Sequence, residues 1–169
     1  MTPLVRRARP VDAPAIRDVY RAAAEQGTLA RMPDEVDDAY VAGFMAAAQD
    51  GLEVVALVDG VVVGELHACR LAPRQFAHVL GELTIAVHPE HQGQGLGRKL
   101  FAEFLRIVRE EMPEIHRVEL FAWGGNQGAV RLYESLGFKY EGTLPQRVRT
   151  DSGEWRDDVV YGWLRNSTA

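Results

Sequence analysis

The sequence has little with which to form covalent cross-links or to cross a membrane. Cys69 is its single cysteine, which excludes an internal disulfide and a cysteine-rich zinc site. No apolar run approaches the roughly 20 residues of a membrane-spanning helix. The arginines near the N-terminus are not followed by the apolar stretch of a signal peptide. We therefore expect a cytoplasmic protein with no membrane partner.

Length and charge favour one compact domain. The chain has 169 residues, of which 47% are hydrophobic and 25% are charged, so it can enclose a full core. We predict a single α/β domain over residues 1–169. Its 19 lysines and arginines against 24 aspartates and glutamates give a net charge of −5. This balance disfavours nucleic acid as a partner and suits a cationic substrate.

Hydrophobic periodicity and turn residues predict the element order β-α-α-β-β-β-α-β-α-β-β. Asp12 is expected to cap the first helix, and the acidic residues 34–38 precede the second. Asp59-Gly60 predicts a hairpin. The predicted strands cover residues 4–9, 53–58, 61–71, 79–88, 117–123, 139–144 and 155–164, and the two later helices cover residues 97–112 and 128–136.

A glycine-rich loop, residues 92–97, lies between the strand that ends at Val87-His88-Pro89 and the long helix. Gly95 and Gly97 allow a tight turn. The helix that begins there offers unpaired N–H groups and the positive end of its dipole, which predicts a pyrophosphate site. The dinucleotide fingerprint and the Walker A motif are both excluded, because each requires a glycine where this chain has Arg98.

Two motifs together resemble those of the GCN5-related N-acetyltransferases (GNAT). The loop is similar to the family's Arg/Gln-x-x-Gly-x-Gly/Ala motif, and a second signature begins at Asn126 and ends at Gly137-Phe138. The resemblance covers nearly the whole chain. It implies a mixed, strongly twisted sheet of six to seven strands, flanked by about four helices, with the fourth and fifth strands splayed. It also implies acetyl-CoA as co-substrate and direct attack by a primary amine in a ternary complex.

The resemblance assigns the acetyl-CoA contacts to a strand end, the loop and the start of two helices. The strand backbone would pair with the pantetheine amides, and the loop would hold the phosphates. Asn126 would bond the pantetheine or the substrate amide, although an asparagine there could equally cap a helix. The assigned residues are Ile85, Ala86, Val87, Gln92, Gly93, Gln94, Gly95, Leu96, Gly97, Arg98 and Asn126.

Tyr133 is, by the same resemblance, the general acid that protonates the departing thiolate. Its helical spacing with Ala129, Leu132 and Leu136 would also suit an ordinary core tyrosine.

Glu82 is the candidate base, because acetyl transfer needs a neutral amine. We expect its side chain to share one strand face with Thr84 and Ala86, opposite Leu83, Ile85 and Val87. A purely structural or amine-binding glutamate is the alternative.

No metal site is predicted. His88 with His91, and His67 with Cys69, are suggestive pairs, but neither has the further ligands that zinc requires.

The acceptor is the least determined part of the prediction. The segments 137–142 and 151–157 resemble a bacterial branch that acts on amino acids, other small amines or protein N-termini, and a free amino acid fits best. Peptide N-terminal acetylation and a non-catalytic acetyl-CoA sensor are the alternatives.

Dimers are common in the family, so a homodimer is compatible with the sequence. An acceptor carboxylate would need a cation, for which the candidates are Arg31, Arg70, Arg74, Arg147 and Arg149.

Overall fold

The computed structural model describes residues 3–123 and 126–166. Its strands form one sheet in the order β1-β2-β3-β4-β5-β7-β6, and the predicted order of elements along the chain is confirmed. No helix in the described ranges is long and apolar enough to cross a membrane. The strands are β1 Leu4–Arg7, β2 Leu52–Val58, β3 Val61–Arg70, β4 Val79–Val87, β5 Arg117–Trp123, β6 Lys139–Arg149 and β7 Trp155–Leu164, and the helices are α1 Ala13–Glu25, α2 Asp38–Ala47, α3 Leu96–Glu111 and α4 Gln127–Ser135.

Two apolar cores lie on opposite faces of the sheet. The helices α3 and α4 cover one face and α1 and α2 cover the other. Along β2, Val54 and Ala56 contribute to the α3 core, whereas Val55 contributes to the core of α1 and α2. This alternation follows from the pleat of a strand that is buried on both faces.

The turn and cap predictions have mixed outcomes. Asp59 and Gly60 both adopt positive φ, 53° and 82°, and join β2 to β3 as the predicted hairpin. Asp12 stands at the N-cap position of α1 as predicted, but its side chain makes no capping hydrogen bond. Its carboxylate binds Arg6 at 2.7 Å and the backbone N–H of Arg9 at 2.8 Å instead. The hydrogen bond from Arg6 holds the pKa of the Asp12 carboxyl below its ordinary value. Asp37 caps α2 through the N–H of Tyr40, at 2.7 Å.

The strand β6 is longer than predicted. It continues from residue 144 to Arg149, with irregular pairing to β7 between Leu144 and Val148. Most of β6 is exposed, so it lacks the apolar alternation by which a half-buried strand is recognised.

The strands β4 and β5 are paired only at their start. They run parallel and pair at Val79 with Arg117 and at Leu80 with Val118. Beyond these pairs the two strands separate, as the family resemblance predicts. The separation opens a cleft through the middle of the sheet.

A bulge interrupts β4 at Glu82. His67 pairs with Thr84, but Cys69 pairs with Gly81, so β4 has an extra residue between these pairs. Glu82 has a positive φ of 52°. The regular alternation predicted through Glu82 is therefore wrong at that residue, although Leu83, Ile85 and Val87 do all pack against the α3 core.

Candidate active site

The cleft between β4 and β5 has a volume of about 950 Å³. It is lined by the segment that precedes α2, by α2 itself, and by residues of the separated strands and α4. Several of the predicted site residues lie along this one cavity, namely Glu82, Ile85, Asn126 and Tyr133.

The glycine loop lies at the start of α3, where a Cβ at Gly97 would come within 3.8 Å of Ile85, a residue that lines the cleft. Gly93 and Gly95 have φ of 73° and 76°, and a Cβ at either position would meet no heavy atom within 4 Å. Glycine is needed there for its backbone conformation rather than for lack of space. The backbone N–H groups of residues 93–98 donate to no acceptor in the described part of the chain. They are therefore available to an anion.

Side chains around the loop fix its position. Gln92 donates from Nε2 to the carbonyl of Val87 at 3.1 Å and to Oε1 of Gln26 at 2.8 Å. Arg98 donates to the hydroxyl of Ser135. Both side chains therefore connect the loop region to β4, α1 and α4, in addition to the ligand contacts predicted for them.

Asn126 caps α4. Its Oδ1 accepts a hydrogen bond from the N–H of Ala129 at 3.1 Å, which is the structural alternative raised from the sequence. Its amide nitrogen bonds no described residue, so this side chain still has donors for a molecule in the cleft.

Tyr133 is part of the apolar core and also lines the cleft. The residue is 8% exposed, and its ring packs against Phe101, Phe138 and Tyr161 with centroids 5.6, 6.2 and 5.9 Å away. Burial raises the pKa of Tyr133 to about 12. The hydroxyl is therefore protonated at neutral pH and can act as a proton donor.

A buried polar cluster, which the sequence analysis did not identify, lies under the cleft. Tyr20 donates from its hydroxyl to Oε2 of Glu65 at 2.5 Å, and Nδ1 of His67 lies 3.1 and 3.2 Å from the two oxygens of Glu65. We call these three residues the Tyr20–Glu65–His67 cluster. A glutamate and a histidine two residues apart, with apolar neighbours on either side in β3, were the available signal.

Glu53 lies beside this cluster with an unsatisfied oxygen. Its Oε1 is buried and has no hydrogen-bond partner among the described residues. Burial, reinforced by the nearby charge of Glu65, raises the pKa of Glu53 to about 8. Glu53 is therefore largely neutral at pH 7.

Two of the five candidate arginines line the cleft. Arg147 pairs with Asp158 at 3.0 Å. The guanidinium of Arg31 lies 4.0 Å above the ring of Tyr40, and it has no acidic partner in the part of the chain that the structure describes. Arg70 is instead held away from the cleft by Glu114 at 2.7 Å.

Comparison with known proteins is consistent with this architecture. The model of the acetyltransferase (GNAT) family matches residues 14–138. The L-amino acid N-acyltransferase MnaT of Escherichia coli K12 is 35% identical over 159 residues, which are 90% of this chain and 88% of that protein.

Two solved structures share the whole fold. The ribosomal-protein-alanine N-acetyltransferase of Brucella melitensis is 30% identical with a TM-score of 0.83, and the match covers 95% of this chain and 99% of that one. The Salmonella typhimurium protein yncA, solved with its cofactor acetyl-CoA, is 27% identical with a TM-score of 0.85. That match covers 100% of this chain and 97% of the other.

Proposed function

This chain belongs to the GNAT family of N-acetyltransferases, whose co-substrate is acetyl-CoA, and from this membership we propose that it acetylates the primary amine of a free amino acid. The observation that carries the proposal is the pair of charges around the cleft. The guanidinium of Arg31, which has no acidic partner among the described residues, can bind the carboxylate of the acceptor. The carboxylate of Glu82 can bind the ammonium group of the acceptor. The similarity to MnaT over 90% of the chain supports the same acceptor class.

We assign acetyl-CoA to the splayed strands and the glycine loop. The unpaired edge of β4 at Ile85, Ala86 and Val87 provides backbone groups for the pantetheine amides. The free N–H groups of residues 93–98 provide donors for the pyrophosphate. We treat residues 1–169 as one catalytic domain.

Glu82 and Tyr133 are the proposed acid–base pair. Glu82 takes a proton from the acceptor ammonium, and the freed nitrogen attacks the thioester carbon. The C–N bond forms, the C–S bond breaks, and Tyr133 gives its hydroxyl proton to the sulfur. The nitrogen loses its second proton as the amide forms. The high pKa of Tyr133 keeps that proton in place until the thiolate departs.

Acetylation of a peptide N-terminus is the second candidate. The similarity to the Brucella melitensis ribosomal-protein-alanine N-acetyltransferase favours it. It predicts that the chain accepts short peptides better than the corresponding free amino acids.

The deciding experiment measures coenzyme A thiol release from acetyl-CoA at pH 8. The panel contains free amino acids, the matching amines without a carboxylate, polyamines and short peptides. Release that requires the free amino acid supports the proposal, whereas release only with peptides supports the alternative. No release of coenzyme A thiol with any acceptor, together with a thermal shift on adding acetyl-CoA, would indicate a sensor without transferase activity.

A further inference from the structure

We propose that His67 is a second proton acceptor of the transfer reaction, with Glu65 and Tyr20 as its positioning residues. The inference rests on the proposed function. It assigns a chemical role to the one buried carboxylate and histidine pair among the described residues, Glu65 at 0% and His67 at 4% exposure.

The hydrogen bonds fix which nitrogen of His67 is basic. A carboxylate can only accept, and both oxygens of Glu65 lie within 3.2 Å of Nδ1. Nδ1 therefore carries the hydrogen. Nε2 has no hydrogen-bond partner among the described residues, while the residue itself lines the cleft. The lone pair of Nε2 is thus the one available to a proton from the cleft, as in other carboxylate–histidine pairs.

Packing holds the imidazole in this orientation. The ring of Phe44 stacks on His67 with centroids 4.2 Å apart and planes 6° from parallel. Tyr20 donates to Glu65 from the other side and prevents that carboxylate from turning away. His67 is also the partner of Thr84 across the ladder, so it lies immediately beside the bulge that carries Glu82.

The reaction requires a second proton acceptor. An ammonium that becomes a secondary amide loses two protons, one before attack and one after the C–N bond has formed. Glu82 takes the first. Nε2 of His67 takes the second from the protonated nitrogen of the tetrahedral intermediate. Tyr133 supplies the proton that sulfur retains. Of the two protons removed from nitrogen, one is released to water and the other replaces, through solvent, the proton that Tyr133 gave. Tyr20 of α1 and Glu65 of β3 contact His67 directly. Glu53 of β2 is its ladder partner. Tyr40 of α2, Cys69 of β3 and Glu82 of β4 line the same cleft.

The test compares His67→Gln and His67→Ala with His116→Gln, a control at an exposed histidine outside the cleft. Formation of the acetylated amino acid is measured directly, so that reaction of added imidazole with acetyl-CoA does not interfere. We expect kcat to fall about 100-fold or more in both His67 variants, with the affinity for acetyl-CoA unchanged. Added imidazole should restore part of kcat in His67→Ala and none in His116→Gln.

A purely structural histidine would give another pattern. Folded His67→Gln with the kcat of the wild type, or His67→Ala that imidazole does not rescue, overturns the proposal while leaving the acetyltransferase intact. If the His67 variants do not fold, Glu65→Gln replaces them, and a kcat within twofold of the wild type then overturns the proposal. Absence of transfer by the wild type with every acceptor removes the proposed function itself.

Discussion

Arg98 donates a hydrogen bond to the hydroxyl of Ser135 at 2.9 Å, and this contact joins the two helices that carry the site. The helix α3 begins at the glycine loop, and α4 carries Tyr133. The hydroxyl of Ser135 in turn donates to the carbonyl of Leu132 at 2.7 Å. The position of the proposed acid is therefore tied to the position of the proposed phosphate site.

Tyr133→Phe should lower kcat about 100-fold and leave the affinity for acetyl-CoA nearly unchanged. The ring and its packing are retained, so only the proton donor is lost. Tyr161→Phe is the matched control, since that ring contacts Tyr133 but does not line the cleft. Steady-state rates and acetyl-CoA titration give the two values. Equal kcat in Tyr133→Phe and the control would remove Tyr133 from the acid role.

Glu82→Gln should flatten the rise of kcat/KM with pH. The amide keeps the size of the side chain at the bulge but cannot take a proton from the acceptor ammonium. Glu25→Gln, at the exposed end of α1, is the control. An unaltered pH profile would assign deprotonation to water or to another group.

Arg31→Ala should raise KM for a free amino acid roughly 10- to 100-fold, which is the range for losing a charge-assisted hydrogen bond. The KM for the matching amine without a carboxylate should not change. Arg74→Ala is the control, because Arg74 is exposed and outside the cleft lining. A similar rise in KM for both acceptors would show that Arg31 does not bind the carboxylate.

Glu53→Gln should stabilise the protein, and more at pH 8 than at pH 5. The pKa of Glu53 is about 8 in the fold, against an ordinary value of 4.5. The unfolded chain therefore loses this proton more readily, so stability is full below about pH 4.5 and declines as pH rises through 8. A neutral amide removes that decline. Thermal melts should show a gain of about 2–5 °C at pH 8, and equal gains at both pH values would contradict the assignment.

The order of elements was predictable because its signals are local. The hairpin depends on Asp59-Gly60, and the proposed phosphate site likewise depends on a short glycine-rich stretch before a helix. Tyr133 was singled out by its motif. Its burial is compatible both with a core tyrosine and with the proposed proton donor.

The features that sequence reasoning missed depend on distant parts of the chain. The positive φ of Glu82 follows from a register shift against β3. Tyr20 meets Glu65 from 45 residues away. The choice of Arg31 among five arginines depends on which carboxylates surround each of them in three dimensions, and no local pattern contains that information.

The short pairing between β4 and β5 also leaves two strand edges unpaired within the sheet. Beyond Leu80 and Val118 each strand presents a row of unpaired peptide groups to the gap between them. Unpaired strand edges are templates on which other chains aggregate. In this protein they face the cleft between the two strands. A ligand that fills the gap therefore also caps these edges, and the ligand-free protein should be the form more prone to self-association during storage.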